Sequence, residues 1–188
     1  HWPWGIAING TGYVYVGDSM NNRVQVFSGN GTFVTSWGYY GTGAGEFNAP
    51  CDIALDPADR VYVADYGNQR IQVFEADGTY LFTAWGEGYL NPRGITIDRN
   101  GNIVCADDAL RRIYTLSPTG AYIRYWGSNG TGPGEFYFPS GVVTDGNGDF
   151  YITDTMNHRV QKLNETGGFI ASWGSFGSAD GQCNQPYG

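Results

Sequence analysis

Asp65-Tyr66-Gly67-Asn68-Gln69-Arg70-Ile71-Gln72-Val73-Phe74 reads as the close of one strand, a tight polar turn and the whole of the next strand. Val61-Tyr62-Val63-Ala64 before it is apolar and rich in β-formers, and Arg70 to Phe74 alternates polar with apolar. The pattern recurs at Asp18-Ser19-Met20-Asn21-Asn22-Arg23-Val24-Gln25-Val26-Phe27 and at Asp154-Thr155-Met156-Asn157-His158-Arg159-Val160-Gln161-Lys162-Leu163. A weaker copy is Asp107-Asp108-Ala109-Leu110-Arg111-Arg112. Working outward, Trp-Gly follows each copy, at Trp37, Trp85, Trp126 and Trp173, and proline recurs at Pro3, Pro50, Pro92, Pro139 and Pro186. Four independent landmarks in one order mean an internal repeat. The chain has 188 residues, four lengths of 47.

Within a unit the period is two. In the second, Ile53-Ala54-Leu55, Val61 to Ala64, Arg70 to Phe74 and Thr79 to Trp85 are four strands joined by turns such as Asp56-Pro57 and Asp77-Gly78. Repeats of about 40 to 50 residues with four strands each predict propeller blades. The expected fold is therefore all-β, with blades at 1–49, 50–91, 92–138 and 139–185. Residues 186–188 start a further unit. The ring is expected to be open or incomplete, completed by further blades or by another copy, with closure of four blades by themselves as the alternative: Gly188 marks a cut or a joint, and a start at His1 reads as a processed form or a fragment.

These turns, the Pro-x-Gly-Ile-Ala pattern at Pro3 to Ala7 and the Gly-x-Gly-Glu-Phe linkers at Gly43 to Phe47 and Gly132 to Phe136 resemble the NHL repeat. The resemblance implies β-propeller blades, most often six to a ring in that family. The third unit departs most. It lacks the turn Asn, and its linker from Trp85 to Pro92 is shorter.

A residue that occurs once per blade answers a need of every blade. The repeated Asp, Arg, Trp and Gly are therefore read as architecture. Function is expected where units differ, just after the repeated proline. Trp4, Cys51, Asp52, Arg93 and Ser140 are the candidate ligand-binding rim at a channel mouth, with variable loop positions as the alternative reading.

Hydrophobic residues make up 41% of the chain and aromatics 16%, which excludes disorder. The net charge of −8, with one lysine, argues against a nucleic-acid partner. The acidic second unit carries Asp52, Asp56, Asp59 and Asp77, but these read as turn residues and no calcium loop occurs. No apolar run is long enough for a transmembrane segment. The resemblance brings in a zinc-dependent lyase like the peptide-amidating enzyme. It also brings in RNA-binding tripartite-motif-like proteins, for which the third unit's arginines offer only a local patch. Two histidines, His1 and His158, are too few for a catalytic zinc site, and no Gly-x-Ser-x-Gly elbow is present. No catalytic residue, metal or cofactor is expected.

The reading is a non-enzymatic extracellular or cell-surface module that binds protein partners or other copies of itself, with an oligomer or filament as the outcome. The alternatives are a ligand-binding sensor fragment of a six-bladed NHL protein and part of an NHL-type lyase. Four glycosylation sequons, at Asn9, Asn30, Asn129 and Asn164, favour secretion and N-linked glycans, although Asn-Gly is also a turn dipeptide. Of three cysteines, Cys105 reads as a buried hydrophobe, and Cys51 and Cys183 are the disulfide candidates.

Overall fold

The computed structural model describes residues 3–84 and 90–188. It is all-β, with four separate four-stranded antiparallel sheets. The chain divides into two compact units, His1–Pro92 and Arg93–Gly188.

In the first unit, β1 (Pro3–Ile8), β2 (Val14–Asp18), β3 (Arg23–Phe27) and β4 (Phe33–Trp37) form one blade in chain order. The second blade is β5 (Pro50–Leu55), β6 (Val61–Asp65), β7 (Arg70–Phe74) and β8 (Tyr80–Ala84). The second unit repeats this with β9 (Pro92–Ile97), β10 (Ile103–Asp107), β11 (Arg112–Leu116) and β12 (Tyr122–Trp126). Its other blade is β13 (Pro139–Thr144), β14 (Phe150–Asp154), β15 (Arg159–Leu163) and β16 (Phe169–Trp173). Trp85 and the shortened linker lie largely outside the described residues.

Local chemistry sets these elements. The repeated Asp and Arg are register partners across the second and third strands: Asp18 with Arg23, Asp65 with Arg70, Asp107 with Arg112 and Asp154 with Arg159. The turn between them ends on a left-handed residue, Asn22, Gln69, Arg111 or His158. His158 is thus a turn residue. The first strand of three blades carries a register irregularity just after its proline, in β1, β5 and β13. There backbones crowd, and a Cβ on Gly5 would overlap Asp52 Cα of the neighbouring blade.

Each unit has its own apolar core between two blades. In the first, Tyr15, Val24, Val26 and Phe47 pack against Ile53, Val61, Val63 and Phe74. In the second, Val104, Ala106, Ile113 and Phe136 pack against Val142, Phe150, Ile152 and Leu163. The fourth-strand tryptophans reach across: Trp37 lies 5.9 Å from Phe74 and Trp126 lies 5.0 Å from Phe150. Each fully buried side chain of this size contributes about 1.5–3 kcal/mol, so the blade-to-blade face is the main apolar store.

Candidate functional site

The residues chosen as a rim divide by environment. In the first unit Trp4 is exposed, Asp52 is half-buried and caps the Ile53 N–H at 2.9 Å, and Cys51 is buried. The Cys51 thiol donates to the Pro92 carbonyl at 3.1 Å, so it serves the chain rather than solvent. In the second unit Ser140 is buried, with its hydroxyl 2.9 Å from Thr153 Oγ1 and 2.7 Å from Thr155 Oγ1. Arg93 is 3.5 Å from Asp108 Oδ2, and its guanidinium lies 5.5 Å from the Phe138 ring and 5.7 Å from the Tyr187 ring. That is a cation held between aromatics. Cys51 and Ser140 expose no polar group at a mouth.

All three cysteines are free thiols, and no Cys51–Cys183 bond is formed in this structure. Cys183 stands where Phe47 and Phe136 stand in the other linkers. Among the described residues no cluster of three or more His, Cys, Asp or Glu is placed to hold a metal ion. Among the described residues no helix is long and apolar enough to cross a membrane.

Three sequons, at Asn9, Asn30 and Asn164, lie on hairpin turns, and Asn129 lies in the linker after β12, bridged to Phe136. Asn9 Oδ1 accepts from the N–H groups of Thr11 and Tyr13 at 3.2 and 2.8 Å, and its Nδ2 donates to Asp59 Oδ2 at 3.1 Å. Asn164 Oδ1 accepts from the N–H groups of Thr166 and Gly168 at 3.0 and 2.7 Å. These are side-chain-closed turns of the kind Asn and Asp favour. Asp56, Asp98 and Asp145 close the turn equivalent to that of Asn9 in the other blades. Asn30 and Asn129 are exposed.

The third-blade arginines are occupied. Arg111 lies over Tyr137, Arg112 over Tyr125 and Arg124 over Trp126, while Arg99 pairs with Glu165.

The most developed polar constellation is one that the sequence analysis reached only in part. Asp65 accepts from Asn68 Nδ2 at 2.9 Å, Arg70 Nε at 2.7 Å, Gln72 Nε2 at 3.2 Å and the Asn48 N–H at 2.7 Å. Its carboxyl is fully buried, and burial raises its pKa despite these donors. Arg70 then reaches the main chain of the linker that enters its blade, donating to the carbonyls of Thr42 at 2.8 Å, Gly43 at 2.7 Å and Glu46 at 2.8 Å. Gln72 both donates to the Glu46 carbonyl at 2.7 Å and accepts from the Gly45 N–H at 2.9 Å. The fourth blade repeats this. Arg159 donates to Thr131, Gly132 and Glu135 at 2.7, 2.8 and 2.9 Å, and Gln161 to Glu135 at 2.6 Å. The signal was Gln25, Gln72 and Gln161, each seven residues after the Asp. Reading β7 as alternating placed Gln72 outward, yet Gln72 and Gln161 are fully buried.

A family model described as a 6-bladed beta-propeller matches residues 6–85, and the NHL repeat model matches residues 136–163. A 49-residue stretch is 45% identical to the RING finger protein nhl-1 of Caenorhabditis elegans, covering 26% of this chain and 5% of that protein. Among solved structures, a streptogramin B lyase superposes with a TM-score of 0.71 at 16% identity, over 91% of this chain and 54% of that one. The catalytically inactive H270A virginiamycin B lyase from Staphylococcus aureus with quinupristin gives 0.72 at 19% identity, over 95% of this chain and 57% of that one. The chain thus spans little more than half the length of these solved propellers.

One expectation is corrected. The lack of a serine elbow or a zinc triad was taken to mean that the protein is not an enzyme, yet these lyases are enzymes on the same fold. A propeller can carry chemistry on loop side chains without such a motif, so motif absence does not exclude catalysis. At these identities the likeness establishes the fold alone. The blade order, the Asp–Arg turn in each blade and the two family matches are those of NHL-type β-propeller blades.

Proposed function

We propose that this chain is an extracellular or cell-surface protein-interaction module that assembles through its blade faces. One observation carries the reading. Ile6 of β1 is 64% exposed, whereas its counterparts Ile53 and Val142 are 3% exposed, each covered by a neighbouring blade. Val14, Val16 and Phe27 on the same blade are half-buried where Val61, Val63 and Phe74 are fully buried. The fourth blade is complementary: Val143 and Trp173 are exposed, and Val160 is half-buried where Val24 and Ile113 are fully buried. An apolar face of this kind favours a partner that removes it from water. The exposed sequon residues Asn30 and Asn129 support an extracellular setting.

Sedimentation velocity across a range of concentrations tests this. Species larger than the monomer are expected. Ile6→Asp should reduce them, while Tyr122→Asp, on a fourth strand whose counterparts are exposed in every blade, should not. A monomer at every concentration overturns the reading.

A further inference from the structure

We propose that the corner between the third and fourth blades is a carboxylate-binding site, in which the Arg111 guanidinium and the Phe138 N–H together hold the two oxygens of an acidic ligand. The site is separate from the exposed blade faces and does not rest on their association.

The repeat shows what belongs at this corner. The residue before the first-strand proline is left-handed, with φ of 52° at Ala49, 63° at Phe138 and 50° at Gln185. Its N–H turns toward the residue that ends the polar turn of the preceding blade. For Ala49 the acceptor there is Asn22 Oδ1 at 2.9 Å, and for Gln185 it is His158 Nδ1 at 3.1 Å. In the third blade the turn-ending residue is Arg111, which has the same left-handed backbone, with φ of 58°. A guanidinium has five N–H donors and no acceptor. Donor therefore faces donor, and among the described residues the Phe138 N–H meets no acceptor.

Arg111 has its own donors to spare. Tyr137 takes one face of the guanidinium, 5.3 Å from the ring centre. The N–H groups lie in the plane of the fork rather than over the ring. Among the described residues nothing accepts from them, and Nε is buried without a partner. A buried donor left in this state is unfavourable, and an incoming acceptor removes the penalty. Two unsatisfied donor groups from different elements thus converge where the other blades place an acceptor.

Charge selects the anion. The corner carries Arg93, Arg111 and Arg112 against Asp107 and Asp108. Arg93 pairs with Asp108 at 3.5 Å, and Arg112 is the register partner of Asp107. One positive charge is left, on Arg111. That suits a carboxylate, a monoanion whose two oxygens match the planar fork. A phosphate group carries nearly two negative charges and would lack its second cation. The exposed ring of Tyr137 offers a flat apolar contact for the body of the ligand. An acidic side chain and a free chain terminus present the same group, and the test separates them.

The test is an NMR titration of the full chain, isotope-labelled at phenylalanine nitrogen, below the concentrations at which it self-associates. The Phe138 amide is assigned by its loss in Phe138→Leu. The probes are acetate, inorganic phosphate, acetyl-glutamate amide, whose only carboxylate is on the side chain, and acetyl-alanine, whose only carboxylate is terminal. Acetate should move the Phe138 amide saturably, and the tighter of the two amino-acid probes names the source. Arg111→Ala should weaken acetate binding about tenfold or more. Arg111→Asn should abolish it while keeping the melting temperature at or above that of the parent, because its Oδ1 accepts from the Phe138 N–H as Asn22 accepts from Ala49. If Arg111→Ala does not fold by circular dichroism, Arg111→Asn carries the comparison. A Phe138 amide indifferent to acetate, a shift that survives both Arg111 substitutions, or phosphate binding more tightly than acetate overturns the proposal. Sedimentation of the same variants should match the parent, so failure of this site and failure of blade association are read separately.

Discussion

The guanidinium of Arg70 donates to the main-chain carbonyl of Glu46 at 2.8 Å while its Nε holds the buried Asp65 at 2.7 Å. One side chain thus neutralises a carboxylate inside its blade and fixes the strand that enters it. Removing it leaves a buried charge short of its partner, a loss of about 3–5 kcal/mol. Arg70→Ala should lower stability by that order in denaturant unfolding. Arg23→Ala, at a more open site, should cost about 1 kcal/mol. Equal losses would contradict the role assigned to the linker bonds.

Two glycines separate backbone from packing effects. Gly12 and Gly78 have φ of +88° and +92°, but a Cβ at Gly12 meets nothing within 4 Å, whereas one at Gly78 comes 2.7 Å from Trp37 Cδ2. Gly12→Ala should cost only the left-handed penalty of about 1–2 kcal/mol. Gly78→Ala should add about 1–3 kcal/mol as Trp37 is displaced from the blade junction. Thermal unfolding of the two variants measures the difference.

Burial, and after it the charge of Asp56, pushes the Tyr62 phenol from 10.0 up to about 12. The neutral phenol is the form that the folded state favours. Its contribution is complete below pH 10 and lost as pH rises from 10 toward about 12, because the unfolded chain ionises first. Stability should therefore fall through that interval in the parent chain and fall less in Tyr62→Phe, as followed by denaturant unfolding at each pH.

At Asn164 the turn and the sequon can be told apart. Asn164→Asp keeps the acceptor for the Thr166 and Gly168 N–H groups and should leave the melting temperature nearly unchanged. Asn164→Ala should cost about 1 kcal/mol. If the site is glycosylated in a secretory host, both variants lose one glycan in intact mass.

The blades were legible because a repeat states the same fold four times, and Asp18, Asp65, Asp107 and Asp154 mark one register. The candidate rim was less so. Its residues were selected by difference, and difference carries no information on burial. Cys51 and Ser140 read as rim positions in sequence, yet each spends its hydrogen bond on the chain. The network of Asp65, Arg70 and Gln72 was half legible. The Asp–Arg pair is local, but its target lies some 24 to 28 residues upstream, and a bond to a main-chain carbonyl leaves no mark on the acceptor's identity.

The grip of Arg70 and Gln72 on residues 41–46 also governs how the first unit opens. The amide of Gly45 can exchange with solvent only when the linker lifts from β7, so its protection should report the second blade rather than the loop that it sits in. Neighbouring blades joined in this way share one opening event, and loss of order should advance across the repeat by junctions instead of strand by strand.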